Sequence, residues 1–299
     1  MNSLSSWLHK RATLSPRKTA IIFEGREIDY ASLANLSACL AGGLTSKLKV
    51  KRGDRIAFLG ENCPEMLLLL FACARLGAIF LPINWRLENP EIIYILRNSG
   101  ATNLVHDSKR DNAAETACSA ISGLCRVCVD SVGNNFLSFS QITAKQPETE
   151  DQGVGAEDPV LLVYTSGTTG KPKGALLTQS ALSWNAINST DMHDLSHNDR
   201  VLTTIPMFHV GGLNIQTVPA LRAGATIVLH RGFDPESVLR TIEKEKVTLT
   251  VLVPSQMNSL ATHVGWSKSD LGSLRMITTG STIVPTPLID IWHRREVPV

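Results

Sequence analysis

Residues 54–84 read DRIAFLGENCPEMLLLLFACARLGAIFLPIN. The opening DRIAFLG is a short apolar run of strand length. PEMLLLLFACARLG has a proline at its start and Gly77 at its end, the asymmetry of a helix. AIFLPIN is a second apolar strand. Two strands joined by a helix of this length need a crossover connection, and crossover units build a parallel sheet.

The same alternation extends in both directions. Upstream, TAIIF and REIDY flank Glu24-Gly25 and read as a hairpin, and Ser32 stands near the start of a helix running to about Leu44. Downstream, NPEIIYILRNSG is helical and TNLVHD is a strand. The stretch 130–158 is polar and ends in KQPETEDQGVGAED, which reads as a linker. It predicts a first α/β subdomain portion over 1–150 and a second over 151–299. In the second, PVLLVY, DRVLTTIP, ATIVLH, VTLTVLVP and LRMITTG read as strands. LTQSALSWNAIN, LNIQTVPALRAG, DPESVLRTIEKEK, SQMNSLATHV and VPTPLIDIWHRRE read as the helices between them, and VPV as the start of a further strand. The predicted class is α/β, with largely parallel, crossover-connected sheets and helices on both faces.

Composition narrows the function. The chain has 299 residues, 43% of them apolar, and a net charge of +2. Without a basic tract there is no reason to expect a nucleic-acid partner. The longest apolar run, Met66–Ala74, is too short to span a bilayer, and the N-terminus lacks the apolar core of a signal peptide. A cytoplasmic location is the resulting expectation. Among the six cysteines, Cys39, Cys63, Cys73 and Cys118 read as small buried hydrophobes. Cys125 and Cys128 form a CxxC, but no second pair exists, and the motif sits in strand-like alternation rather than at a helix start. The histidines at 106, 193, 197, 230, 263 and 293 show no ligand spacing, so no protein-held metal is expected.

The chemistry concentrates in LLVYTSGTTGKPKGALLTQ, residues 161–179. Glycines at 167, 170 and 174 let the backbone turn sharply and approach a ligand. Thr165, Ser166, Thr168 and Thr169 add hydroxyls, Lys171 and Lys173 add charge, and Pro172 stiffens the turn. A triphosphate uses all of these groups; a solvated flexible loop is the bland alternative. The loop is not a Walker A site, because Gly170-Lys171 is followed by Pro172 where that motif needs a hydroxyl. Three unusual loops follow strands: 165–174, 206–212 and 279–284. Carboxyl ends of strands are where open α/β sheets bind ligands.

YTSGTTGKPKG resembles the phosphate-loop signature of the adenylate-forming enzymes: acyl-CoA synthetases, luciferases and the adenylation domains of peptide synthetases. PRKTAIIFEGREIDYASL resembles their N-terminal opening, and GDRIAFLGENCPEMLLLLFACARLGAIFLPINWRL their first βαβ unit. IPMFHVGGL is similar to the histidine motif of the CoA ligases, and TTGSTIVPTPLI stands at the adenine loop. The resemblance implies an ATP-dependent carboxylic acid:CoA ligase that passes through an acyl-adenylate. It implies that Thr165, Ser166, Gly167, Thr168, Thr169, Gly170, Lys171 and Lys173 hold the β- and γ-phosphates. Gly280, Ser281 and Thr282 would flank the adenine. His209 would be the catalytic residue beside the carboxylate, with Phe208 and Gly211 shaping the acyl and pantetheine paths. ATP, CoA, Mg2+ and a small carboxylic acid are the implied cofactor and partners.

Three departures qualify that reading. Most members have two glycines and an alanine where this chain has Gly280, Ser281 and Thr282; Ile283 replaces a proline, and Gln179 stands where histidine is common. The resemblance also leads one to expect, beyond REVPV, a magnesium-associated glutamate, a ribose-binding aspartate and a small domain bearing a catalytic lysine. A chain without them is expected not to turn over alone, as a truncated product or as half of a split enzyme completed by a second polypeptide. A non-catalytic binding remnant and a peptide-synthetase adenylation module are the rival readings.

Overall fold

The computed structural model describes residues 4–133, 135–144, 153–166 and 171–299. In chain order the first elements are α1 (Leu4–Leu14), β1 (Thr19–Phe23), β2 (Arg26–Asp29), α2 (Tyr30–Leu48), β3 (Arg55–Leu59), α3 (Pro64–Leu76) and β4 (Ile79–Ile83). Next come α4 (Asn89–Ser99), β5 (Asn103–His106), a 3-10 turn at Ser108–Arg110, α5 (Asp111–Ala120), β6 (Cys125–Cys128), β7 (Leu137–Ser138), α6 (Phe139–Thr143), β8 (Pro159–Thr165) and β9 (Lys173–Thr178). Then follow α7 (Gln179–Met192), β10 (Arg200–Thr203), α8 (Val210–Asn214), α9 (Thr217–Ala223), β11 (Thr226–Leu229) and α10 (Pro235–Glu245). The last are β12 (Leu249–Leu252), α11 (Pro254–Ala261), β13 (Met276–Thr279) and α12 (Thr286–His293).

The chain divides into two units. The first comprises Met1–Arg17 and Tyr30–Trp184, the second Lys18–Asp29 and Asn185–Val299. The first holds a seven-stranded sheet in the order β7-β6-β5-β3-β4-β8-β9. All its pairs are parallel except β8 with β9. The second holds a six-stranded sheet, β13-β12-β10-β11-β1-β2, parallel except for the β1–β2 hairpin. The β3–α3–β4 crossover expected from residues 54–84 is present. Pro64 opens α3, and Gly77 closes it at φ 66, a left-handed cap that favours glycine. α3 is apolar on nearly all sides and buried on nearly all sides, as such a helix must be. Replacing a fully buried residue such as Leu69 by alanine would cost about 2–5 kcal/mol.

Four expectations are corrected. The boundary placed at 150/151 lies elsewhere. β8 pairs with β4, which draws residues up to 184 into the first unit, and β1 pairs with β11, which draws the 18–29 hairpin into the second. Both reassignments come from strand pairings remote in sequence. The polar stretch 130–158 is not all linker, since Leu137–Ser138 pairs with β6 and Ser138 caps α6 through a capping box with Gln141. LNIQTVPALRAG is two helices rather than one, α8 and α9, broken at Ile215-Gln216. VPV does not form a strand: Val297 packs into the core of the second unit, and the Ile277 N–H donates to the Pro298 carbonyl at 2.8 Å.

Candidate functional site

The phosphate-loop residues belong to the first unit. Thr165 ends β8 and pairs directly with Lys173, the first residue of β9. The loop is therefore the tip of an antiparallel hairpin, not a strand-to-helix turn; the helix begins only at Gln179. Thr165, Ser166, Lys171 and Lys173 are all exposed. Gly167, Thr168, Thr169 and Gly170 lie outside the described residues. Two tyrosines tie the base of the hairpin to neighbouring chain: Tyr164 Oη donates to Asn98 Oδ1 at 2.6 Å, and Tyr94 Oη to the Pro172 carbonyl at 3.4 Å. Burial raises the Tyr164 phenol above its usual pKa, so this donor keeps its proton throughout the neutral range. At Gly174 an added Cβ would lie 2.8 Å from Leu162 Cδ1, a side-chain end that can turn aside. Gln179 is a structural tie. Its Nε2 donates to the Ala74 carbonyl of α3, and its Oε1 accepts the Leu4 N–H of α1.

The other two motif loops belong to the second unit. β10 and β13 flank β12 and run parallel to it, so the loops after β10 and after β13 leave the same edge of one sheet. His209 is exposed and is the N-cap of α8. Its Nδ1 accepts the Gly211 N–H at 2.9 Å, which places the proton of the neutral ring on Nε2. That exposed Nε2–H is available as a donor. A histidine buried in the core would not be. Phe208 and Gly211 are half-buried beside it. Gly212 carries the helix start over the preceding loop, where a Cβ would fall on the Pro206 carbonyl and 2.6 Å from the Ile205 oxygen.

Gly280, Ser281 and Thr282 follow β13 and are exposed. Ser281 sits at φ 72, in the left-handed region, whereas Gly280 is not at positive φ. The position that needs glycine geometry is thus filled by serine. Gln216, which the sequence reading passed over, links the two loops' elements: its Nε2 donates to Thr278 Oγ1 on β13 at 3.1 Å. A polar residue in the apolar stretch LNIQTVPAL and a Thr-Thr pair at a strand end were the available signals.

Among the described residues, no group of three His, Cys, Asp or Glu side chains could hold a metal ion. Cys125 lies exposed at the start of β6 and Cys128 buried at its end, as the strand reading expected, and all six cysteines are free thiols. No helix among the described residues is long and apolar enough to cross a membrane.

Three comparisons place this geometry. An indoleacetate–CoA ligase of Aromatoleum aromaticum is 48% identical over 298 residues, covering 99% of this chain and 58% of that protein. A feruloyl-CoA synthase of an Amycolatopsis species is 41% identical over 286 residues, covering 95% and 55%. The crystal structure of the anthranilate CoA ligase AuaEII in complex with anthranoyl-AMP superposes with a TM-score of 0.93 at 26% identity, covering 98% of this chain and 58% of that one. The chain thus spans a little over half the length of the relatives it matches. The family described as AMP-binding enzyme matches residues 8–298, essentially the whole sequence, and the chain belongs to it.

Proposed function

We propose that the chain carries the nucleotide- and acid-binding part of an acid:CoA ligase acting on a carboxylic acid with an aromatic ring. A carboxylate oxygen attacks the α-phosphorus of ATP, the bond to the β,γ-diphosphate breaks, and pyrophosphate leaves. The thiol sulfur of CoA then attacks the acyl carbon and AMP leaves, the thiol proton passing to solvent. The observation that carries this reading is that the His209 loop and the 280–282 loop leave one carboxyl edge of a parallel sheet, in a member of the AMP-binding family.

The reading gives each residue a part. Thr165, Ser166, Lys171 and Lys173, with Gly167–Gly170, hold the outer phosphates and stabilise the charge that grows on the departing pyrophosphate. His209 offers its Nε2–H to the carboxylate or to the acyl-phosphate oxygen; Phe208 and Gly211 border the acid. Gly280, Ser281 and Thr282 lie against the adenine. Magnesium accompanies ATP in this family by resemblance, but the described carboxylates do not converge on a site for it, and no step is derived through it. The aromatic acid follows from the relatives, which are named for indoleacetate, ferulate and anthranilate. The same relatives favour a CoA ligase over a peptide-synthetase module.

The test is calorimetric titration of residues 1–299 with ATP, AMP and an aryl acyl-sulfamoyladenosine, which joins acid and adenosine by a stable link. Binding of all three, tightest for the conjugate, supports the reading. A folded chain that binds none of them overturns it.

A further inference from the structure

The first unit carries an open pocket of about 640 Å3 between the end of α2, α5 and the start of β6, lined among others by Lys47, Glu115, Cys118, Cys125, Arg126 and Phe136. That volume is within the range of about 300–1,000 Å3 usual for small-molecule sites. Two thiols share the pocket. Cys118 lies half-buried in the last turn of α5, and Cys125 is exposed at the first position of β6. Burial raises the Cys118 thiol above its usual pKa; the Arg126 guanidinium opposes the shift, and Cys125 and Glu115 add to it. Cys118 therefore stays protonated, the unreactive form, and Cys125 is the thiol that a ligand reaches. Of the charges beside them, Arg126 is already committed. Its Nε donates to His106 Nε2 at 3.0 Å, its Nη2 donates to the Asp111 carboxylate, and its guanidinium lies 4.7 Å over the Phe136 ring. Lys47 and Glu115 are exposed and take part in no ion pair among the described residues. Lys47 Nζ donates to a neutral acceptor, the Gln141 carbonyl at 2.6 Å, and keeps further donors for a ligand. The pocket thus presents one reachable thiol, one uncommitted ammonium and one uncommitted carboxylate.

We propose that this pocket is a binding and modification site for a low-molecular-weight disulfide of the glutathione type, a zwitterion carrying both carboxylates and ammonium groups. A carboxylate of the ligand meets Lys47, an ammonium meets Glu115, and the disulfide lies at Cys125. In the exchange step Cys125 gives its proton to solvent and its sulfur attacks one sulfur of the bound disulfide. A bond forms from Cys125 to that sulfur, the old disulfide bond breaks, and the departing thiolate takes a proton from solvent. Cys125 is oxidised and the departing half is reduced, so no further oxidant is needed. A neutral disulfide reacts by the same step but gains nothing from either charge. The inference does not depend on the ligase reading, because the pocket lies wholly within the first unit and uses none of the residues assigned to ATP or the acid.

The experiment exposes residues 1–299 to glutathione disulfide or to neutral hydroxyethyl disulfide at neutral pH and follows each cysteine by peptide mass mapping. The same chain unfolded in urea, where every thiol is open, gives the intrinsic ratio of the two rates. In the folded chain Cys125 should gain the glutathionyl group before any other cysteine, and Cys125→Ser should remove that early adduct. An exposed ion pair is worth a factor of about 1.4–5, so two should raise the preference for glutathione disulfide about fivefold above the unfolded ratio. Lys47→Met together with Glu115→Gln should bring it within about twofold of that ratio, since only the two ion pairs are lost. Raising the salt to about 1 M should do the same in the unaltered chain, a route that needs no variant to fold. A different cysteine modified first, a folded ratio equal to the unfolded one, or a preference that survives both the double substitution and high salt would overturn the proposal.

Discussion

Gly212→Ala is the sharpest test of how the second unit positions His209. Gly212 lies in the first turn of α8, and its φ is not positive, so glycine is there for space and not for backbone freedom. An added methyl would fall on the Pro206 carbonyl oxygen, 2.6 Å from the Ile205 oxygen and 2.7 Å from the Pro206 carbonyl carbon. Ordinary contact begins near 3.4 Å, so the helix and the 205–206 loop must part by nearly 1 Å. None of the obstructing atoms belongs to a side chain that can rotate away. Overpacking of this kind costs about 1–3 kcal/mol, and the rigid surroundings place this case near 3. The melting temperature should fall by about 6–12 °C. His209 moves too, because its N–H donates to the Pro206 carbonyl at 3.2 Å. Gly211→Ala is the control: its methyl would meet His209 Nδ1 at 3.1 Å and Ile215 Cδ1 at 3.9 Å, both side-chain atoms that can yield. It should melt within about 2 °C of the unaltered chain, a change typical of a site without a steric conflict. Thermal unfolding followed by tryptophan fluorescence reads both. If Gly212→Ala melts with Gly211→Ala, the close approach of α8 to the 205–206 loop is wrong.

Ser281→Gly should stabilise the chain by about 0.5–1 kcal/mol, because serine holds a left-handed φ that glycine adopts without penalty; a lower urea midpoint would contradict the strain. Burial holds the imidazoles of His106, His193 and His230 below their usual pKa range, so the unfolded chain takes up protons more readily than the folded one. Their contribution is fully present above the unfolded value of about 6.5 and is lost as pH falls toward the folded values; urea midpoints flat between pH 7.5 and 5 would rule this out. Lys171→Ala and Lys173→Ala should each weaken ATP by about tenfold, the low end of a charge-assisted hydrogen bond, and leave AMP nearly unchanged. Equal losses for both nucleotides in calorimetry would remove the lysines from the outer phosphates.

Local signals made much of this fold legible. Pro64 and Gly77 bounded α3, and Glu24-Gly25 marked a hairpin whose two turn residues do take left-handed φ, 50 and 77. Pairings remote in sequence were not legible, because nothing in TAIIF specifies a partner strand two hundred residues away. That ignorance misplaced the boundary. β9 was hidden for a different reason. KGALLT is short, largely exposed and preceded by the eight polar or small residues 165–172, so it read as loop running into helix. The chemistry showed the same division. The motif marked His209, but its N-cap role depends on the hydrogen bond to Gly211. Gln216 gave no motif signal, because what distinguishes it is a bond to Thr278, 62 positions away.

The hairpin geometry also changes where the charge in the phosphate loop must come from. In phosphate sites built at the start of a helix, the aligned backbone dipoles attract the anion without any charged side chain. Here Lys173 opens β9, an edge strand, and Gln179 is the first helical residue, five positions after Gly174. A helix terminus at that distance contributes little, since its field fades within a turn. On the function proposed above, attraction for a triphosphate would rest on the exposed ammonium groups of Lys171 and Lys173 and on the hydroxyls of Thr165 and Ser166. Exposed charges are screened over about 8–10 Å at physiological salt, so their long-range pull is weak and their contact geometry must do most of the holding. Pro172 between the lysines limits that geometry on one side, and the carbonyl it presents to Tyr94 limits it on the other.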